Sequence, residues 1–347
     1  MTDIKFCSIA QVASEAGVAK STASLALRGS YRVDPETAAR VKAAAERLGY
    51  RSDPRVGSLM ARIRRARAVT SRERLAFVWV AAWREERLKD WFSSLVYAGA
   101  KRRTEEVGCA LEEFLLDDEG MTPARLEKIL VTRGITGVVF SSPLHAIEAK
   151  VSWNWSHFSS VLIGSSNFDP SLHRVAEHHY RNLWMAMDRL RAAGCRRPVV
   201  ALFERHHLRH HGAQRAAFVE HHPLSPRQAL GLWRFGLPER REEVLAWLTK
   251  TRADGLILGM NPPDEMIEWL RAQPQLKVIV TLDVPKPGVA CMRVDPGRIA
   301  ASAVDMVMAQ LHRNERGVPE HPTTLFLEGE WSEVPARDAP EPLNPKC

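Results

Sequence analysis

Short apolar runs alternate with helical stretches over most of the chain, and this alternation restricts the fold more than any other feature. From residue 74 onward the runs are nearly continuous, which is typical of strands buried on both faces of a parallel sheet. Helices between such strands supply the crossover connections. The predicted strands are 74–81, 111–116, 136–140, 160–164, 198–203, 255–259 and 277–282, and the predicted helices 92–107, 123–132, 180–193 and 298–312. Roughly 260 residues follow this alternating pattern, a length that favours two doubly wound α/β subdomains over one.

The first fifty residues follow a different, all-α pattern. Residues 8–29 predict two short helices around a tight turn: Ser8 and Gln11 have the spacing of a capping box, and Gly17 suits a turn residue with positive φ. The second helix exposes hydroxyl and ammonium groups that can donate to phosphates or base edges, as a recognition helix in a major groove does. Two small-residue helices could instead be plain scaffold.

A third N-terminal helix begins at a strong start signal. Asp34 is the predicted cap, Pro35 the first helical residue, and the helix ends before Gly49. Together, "IAQVASEAGVAKSTAS", "VDPETAARVKAAAERLGY" and a following short segment with Leu59 resemble, in order and spacing, the headpiece of the LacI/GalR family of transcription regulators.

The resemblance implies an N-terminal helix-turn-helix DNA-binding headpiece with assigned contact residues. The resemblance implies that the following residues touch bases, phosphates or the minor groove: Lys20, Ser21, Thr22, Ser24, Leu25, Arg28, Arg32, Thr37, Tyr50 and Leu59. Leu25 departs from the family's frequent arginine; it could pack on a thymine methyl or be a core residue. Leu59 matches the leucine that wedges into the minor groove. The short hinge helix that carries Leu59 also contains Gly57, which lowers helix stability, so we expect this helix to fold only on DNA.

Charge supports a DNA-binding end on a neutral body. Residues 1–74 hold 15 Lys and Arg against 7 Asp and Glu, a net charge of +8, which equals the net charge of the whole chain. No apolar stretch reaches the roughly 18 residues of a transmembrane helix, and no signal peptide is evident. The five cysteines are scattered, which favours a reducing cytoplasm over a disulfide framework. We therefore expect a cytoplasmic, nucleoid-associated protein.

The body resembles, more loosely, the family's effector-binding core, which is similar to periplasmic sugar-binding proteins. The resemblance implies a homodimer and a cleft for a small effector, with the chain crossing between subdomains after residues 164–165 and near 283–287. Ligands bind beyond the carboxyl ends of parallel strands. The expected effector residues are Trp91, Phe92, Arg209, Asn261 and Asp283. Trp91 and Phe92 could equally be core aromatics, and His178 stands where the family often has an acid.

Four histidines, His206, His207, His210 and His211, include two pairs at the i, i+4 spacing of helical zinc ligands. A third ligand type is not evident and arginines crowd the segment, so a polar loop beside the cleft is the other interpretation, and we expect no metal and no cofactor. No nucleophile elbow, P-loop or GxGxxG motif supports catalysis.

These observations predict a ligand-responsive transcription regulator that binds a near-palindromic operator and a small metabolite, most simply a sugar or sugar derivative. We expect a headpiece (1–53), a hinge helix and basic linker (54–73), an effector-binding and dimerisation core (74–335) and a disordered tail (336–347). Two alternatives stay open: a non-specific nucleoid-type DNA binder, and an α/β metal-dependent enzyme with a DNA-binding arm.

Overall fold

The computed structural model describes residues 9–27, 33–50, 73–80, 91–116, 118–141, 147–282 and 284–333, except for the side chains of Ser21 and Ser24. These residues form a small helical headpiece and two α/β subdomains. The predicted hinge helix and the predicted disordered tail lie outside the described residues. The α/β fold class predicted from the alternation of runs is confirmed.

The strands, in chain order, are β1 (Arg74–Trp79), β2 (Ala110–Leu115), β3 (Gly137–Phe140), β4 (Glu148–Lys150), β5 (Ser159–Ile163), β6 (Asn167–Asp169), β7 (His173–Glu177), β8 (Pro198–Leu202), β9 (Trp233–Phe235), β10 (Gly255–Gly259), β11 (Val278–Leu282), β12 (Ala290–Arg293), β13 (Thr324–Leu327) and β14 (Glu330–Ser332).

The α-helices are α1 (Ile9–Glu15), α2 (Lys20–Leu27), α3 (Pro35–Arg47), α4 (Trp91–Glu106), α5 (Pro123–Thr132), α6 (His179–Ala192), α7 (Glu204–Arg209), α8 (Ala213–His221), α9 (Pro226–Leu230), α10 (Arg241–Thr251), α11 (Asp264–Arg271) and α12 (Pro296–Arg313). A 3₁₀ turn spans Trp155–His157.

The first subdomain is a parallel sheet in the order β13-β7-β5-β3-β1-β2. Strand β1, between β3 and the edge strand β2, is apolar and buried from Leu75 to Trp79, as the sequence run predicts. Helices α4 and α12 cover one face of the sheet. Helix α5 and an aromatic group around Phe140 and Trp153 cover the other, next to the small β4–β6 sheet.

The second subdomain has the sheet order β14-β12-β11-β10-β8-β9. Its strands are parallel except for β14, which runs antiparallel to β12 along the edge. Helices α6, α8, α10 and α11 all contribute to its core, through Leu183, Phe218, Val244 and Ile267 among others.

Three crossovers join the subdomains: β7 to α6, β12 to α12, and β13 to β14. The predicted crossing at residues 164–165 is wrong, because Gly164, with φ of +95°, turns the chain toward β6 and β7, and β7 still belongs to the first sheet. The predicted crossing near residues 283–287 is also too early, since β12 follows in the second sheet.

Helices α4 and α12 meet backbone to backbone. A Cβ atom built on Gly99 would lie 2.4 Å from the Cα atom of Gly297. Gly297 is the second residue of α12, immediately after the second crossover. The two glycines therefore set how closely these helices approach.

Within the described residues, no helix combines the length and the apolar character needed to cross a bilayer.

Candidate functional sites: the headpiece surface and the cleft

The headpiece core is built almost entirely from small side chains, so its three helices pack closely. Its buried members are Val12, Ala13, Ala16, Ala23, Ala26, Val41, Ala44 and Ala45. Gly17, with φ of +64°, makes the predicted turn between α1 and α2. The Arg40 Nε donates to the carbonyl oxygen of Ala16 at 3.2 Å, which ties α3 to the end of α1.

The start of α3 is capped as predicted. The backbone N–H of Thr37 donates to Asp34 Oδ1 at 2.9 Å, and Pro35 occupies the first helical turn. Hydrogen bonds from Thr37 hold the pKa of the Asp34 carboxyl below its usual value. The side chain of Thr37 is half-buried next to this cap.

Helix α2 turns Ala23 and Ala26 into the core and leaves Lys20 exposed, with Thr22 and Leu25 half-buried. The half-buried apolar residues that pack on the described core are Ile9, Val18, Leu27, Val33, Ala38 and Tyr50. Leu25 is not among them, which favours a surface role over a core role. Tyr50, in contrast, has a packing role.

The remaining expected DNA contacts are only partly described. Ser21 and Ser24 lie in α2, but their side chains are outside the described part. Arg28, Arg32 and Leu59 lie outside the described residues altogether.

The second candidate site lies at the carboxyl ends of the two sheets, where the sequence predicts the effector cleft. Arg209 ends α7, which follows β8, and Asn261 lies exposed shortly after the neighbouring strand β10. Because β8 and β10 pair in parallel, both residues lie at the carboxyl ends of the strands of the second sheet. Asp283 follows β11 in the sequence and lies outside the described residues.

Trp91 and Phe92 open α4 in the first subdomain, and both are half-buried. Phe92 packs against the apolar core under α4 and α12, so core packing accounts for this side chain. Trp91 is the better candidate for a ligand contact.

Three histidines cluster at the start of α6 and on and just after α7. The imidazole rings of His179, on α6, and His210 stack with centroids 3.5 Å apart, and His206 lies 5.7 Å from His210. Burial, followed by the charges of Arg209 and Arg205, lowers the pKa of His206 to about 4. Burial also holds the pKa of His210 well below its usual value. The His206 and His210 side chains are therefore neutral imidazoles at neutral pH.

The described residues contain no group of three or more side chains placed to hold a metal ion. The i, i+4 histidine pairs instead serve packing and hydrogen bonding. The His210 ring bonds Gln214 Oε1 at 3.2 Å, and His207 packs against Phe235. The zinc interpretation of the histidine spacing thus lacks support in this part of the chain.

His211 links the two subdomains across the cleft. Its Nε2 lies 3.0 Å from the carbonyl oxygen of Ser165, which follows β5. His211 has φ of +51°, an unusual angle for a residue with a side chain, and Gly212 follows with φ of +73°. Sequence reasoning identified His211 only as a possible metal ligand and did not anticipate this contact.

A cavity of about 400 Å³ lies at the other end of the second sheet, lined by Leu245, Leu248, Thr249, Arg252, Ala253, Asp254 and Gln275. Its one acidic group already accepts hydrogen bonds from the backbone N–H groups of Arg196 and Arg197. The cavity lies at the amino ends of the strands, away from the cleft.

Comparison with known proteins identifies the headpiece. Residues 8–53 match the family model described as "Bacterial regulatory proteins, lacI family". The N-terminal segment is a lacI-family domain. The lacI-family headpiece is thus followed by a core of two α/β subdomains. No curated protein matches the chain.

Solved structures share the fold at low sequence identity. The transcriptional regulator CelR in complex with cellobiose has a TM-score of 0.51 at 17% identity, covering 94% of this chain and 98% of that chain. The Lac repressor dimer bound to operator and the anti-inducer ONPF has a TM-score of 0.53 at 13% identity, with the same coverage of both chains. Transcription regulator CcpA of Lactococcus lactis has a TM-score of 0.51 at 12% identity and covers 76% of this chain and 100% of that chain.

Proposed function

We propose that this protein is a sequence-specific DNA-binding transcription regulator whose operator affinity is controlled by a small molecule bound in the cleft. The observation that carries the proposal is a lacI-family headpiece attached to a core of two subdomains joined by three crossovers. The excess positive charge lies in the headpiece and linker, and the core is neutral overall. This is the charge distribution of a DNA-binding module attached to a sensor.

The regulator acts in the cytoplasm, associated with the nucleoid, as a homodimer that binds a near-palindromic operator. Lys20 and Leu25 on α2 meet base edges in the major groove, together with Ser21. Thr22, Ser24, Arg28, Arg32 and Thr37 contact phosphates or adjacent bases. Leu59 enters the minor groove at the centre of the site.

The effector binds between the carboxyl ends of the two sheets, where Arg209 and Asn261 share one edge and Trp91 faces from the other subdomain. Asp283 completes the polar set. A guanidinium fork suits paired hydroxyls or a carboxylate. A solved protein of the same fold holds cellobiose, so carbohydrates are the first class to test.

Selection of bound sequences from random DNA tests the DNA-binding part. The purified protein should enrich a near-palindromic motif and bind it at least about 10³-fold more tightly than random DNA at physiological salt. A ratio near one would favour the non-specific nucleoid-type binder instead. Loss of binding after metal chelation would revive the metal-dependent alternative.

Arg209→Ala tests the effector site. Isothermal titration with cellobiose and a panel of mono- and disaccharides should first find a ligand for the wild type. The variant should then lose at least about tenfold in ligand affinity, because a charge-assisted hydrogen bond contributes about 1.5–3 kcal/mol. Operator affinity without ligand should stay unchanged. Arg205→Ala, an exposed neighbour on the same helix, is the matched control. Full ligand affinity in Arg209→Ala would remove this residue from the site.

A further inference from the structure

Two of the three crossovers between the subdomains meet at one buried amide. Asn182, in the first turn of α6, is only 2% exposed. Its Nδ2 donates to Glu177 Oε1 at 2.6 Å, and its Oδ1 accepts from the backbone N–H of Gly329 at 2.7 Å. Glu177 ends β7 at the first crossover, and Gly329 lies in the third crossover, between β13 and β14.

The second crossover closes the same cluster. A Cβ atom on Gly329 would lie 3.0 Å from the carbonyl oxygen of Arg293 and 3.1 Å from the Asn182 side chain. Arg293 ends β12, where the chain leaves the second sheet. The crossovers therefore pack so closely at Gly329 that an additional methyl group would require its neighbours to shift by a few tenths of an ångström.

The chemistry of the amide fits this position. Glu177 is a buried carboxylate, 9% exposed, that needs a donor, whereas the Gly329 N–H needs an acceptor. A carboxamide supplies both at once without adding charge. Neither an apolar side chain nor a carboxylate can satisfy both partners.

Any rotation of one subdomain against the other must change the relative positions of the crossovers. The Asn182 amide ties the first crossover to the third, so it favours one arrangement of the subdomains. We propose that Asn182 is a positioning residue that sets the resting arrangement of the two subdomains, and thereby the response of the proposed regulator to its effector. The link to regulation rests on the proposed function, but the effect on subdomain arrangement does not.

Asn182→Asp is the sharpest test, because it keeps the shape and the acceptor but replaces the donor with a second carboxylate. At about pH 8 two carboxylates would face each other at hydrogen-bond distance, which is unfavourable when both are ionised. Near pH 5.5 the pair can share one proton, whose O–H restores the bond to Glu177. The His179 ring also faces this carboxylate, with its Nδ1 atom 3.7 Å from Glu177 Oε1, and it is present in wild type and variant alike, so the wild type at each pH is the reference.

Pulsed EPR distances between spin labels on Lys128→Cys in α5 and Glu242→Cys in α10 report the arrangement, in a Cys7→Ser, Cys347→Ser background. The other three cysteines are buried. Labelled protein is diluted with unlabelled protein so that only distances within one chain are measured. Without DNA or effector, Asn182→Asp should show a second distance population at pH 8 that is absent from wild type, and this difference should disappear near pH 5.5.

Gln310→Glu is the matched control. Gln310 is also a buried amide, 4% exposed, and it bonds both backbone groups of Ser160 within the first subdomain. This variant should lower the melting temperature without changing the distances. A wild-type distribution for Asn182→Asp at pH 8, a difference that persists near pH 5.5, or an equal change in Gln310→Glu would each overturn the proposal.

Gly329→Ala approaches the cluster from the other side and keeps the test decisive if Asn182→Asp fails to fold. Its added methyl group must displace Arg293 or Asn182, so it should shift the same distance population. An unchanged distribution in folded Gly329→Ala would contradict the proposal. Because no measurement here uses DNA or ligand, failure of the proposed function would leave this result intact, and the reverse also holds.

Discussion

Leu25 lies on α2 beside the exposed Lys20, half-buried but outside the set of residues that pack on the headpiece core. Within the described part of the headpiece, the contribution of this side chain to the core is therefore small. In a major groove, however, it can cover the methyl group of a thymine.

Leu25→Ala should therefore change DNA preference more than stability. We expect a loss of about 1–2 kcal/mol in affinity for the selected operator, confined to one base-pair position, with binding to random DNA unchanged. Binding titrations on the operator and its single-base variants measure this. Lys42→Ala, an exposed change on α3, is the control and should leave base preference unaltered. A large drop in melting temperature for Leu25→Ala would restore the core interpretation.

At the residue scale, local signals were readable from the sequence and tertiary ones were not. Asp34 and Pro35 mark the start of α3 by rules that involve only their immediate neighbours, and the structure has the cap they predict. Asn182 carried no such signal, since its two partners are a residue on the preceding strand and one 147 positions away. The stacking of His179 on His210 is likewise a product of the fold.

Among the elements, helices α4 and α12 pack so closely that they leave no space for a side chain at Gly99. Gly99→Ala would place a methyl group 2.4 Å from the Gly297 backbone, which cannot rotate away. Overpacking of this kind costs about 1–3 kcal/mol, more than the roughly 1 kcal/mol gained from the better helix propensity of alanine. We expect a net decrease in the free energy of unfolding, measured by urea denaturation.

Gly231→Ala provides the comparison for this change. Gly231 ends α9 with φ of −74°, and the nearest atom to its added Cβ would be 3.4 Å away, an ordinary contact. The free energy of unfolding of Gly231→Ala should equal that of the wild type or be slightly higher. Equal free energies of unfolding for the two variants would contradict the prediction, because α4 and α12 could then move apart without a loss of stability.

Elements with long apolar runs were predictable, and short edge strands were not. β1 and β10 are buried throughout, and their composition shows it. β9 and β13 are three and four residues long and partly exposed, too short for their few apolar residues to indicate a strand. β7 was missed because it carries charged residues, and its burial of Glu177 depends on the Asn182 amide. The misplaced first crossover follows directly from that omission.

For the whole molecule, the buried histidines predict a dependence of stability on pH. Burial lowers the pKa of His206 to about 4 and lowers those of His173, His207, His210 and His222. The unfolded chain, with pKa values near 6.5, then binds more protons than the folded one below about that pH. Stability should be greatest above about pH 7 and should fall as the pH decreases toward 4.

Urea denaturation at about pH 7.5 and 5.5 measures the effect. His206 alone should account for a loss of about 1 kcal/mol between these conditions. His206→Gln should lose that part of the pH dependence, whereas His312→Gln, a change at an exposed site, should keep all of it. Identical pH profiles for wild type and His206→Gln would show that the imidazole is equally protonated in both states.

The contact between Gly99 and Gly297 has a consequence for how displacement travels through the protein. Where side chains separate two helices, a small shift of one can be absorbed by rotamer changes before the other moves. Here two backbones touch without intervening rotamers, and Gly297 follows the second crossover by only a few residues. We therefore expect that a displacement of α12 at the second crossover moves α4 by a similar distance. The position of α4 would then depend on the arrangement of the two subdomains.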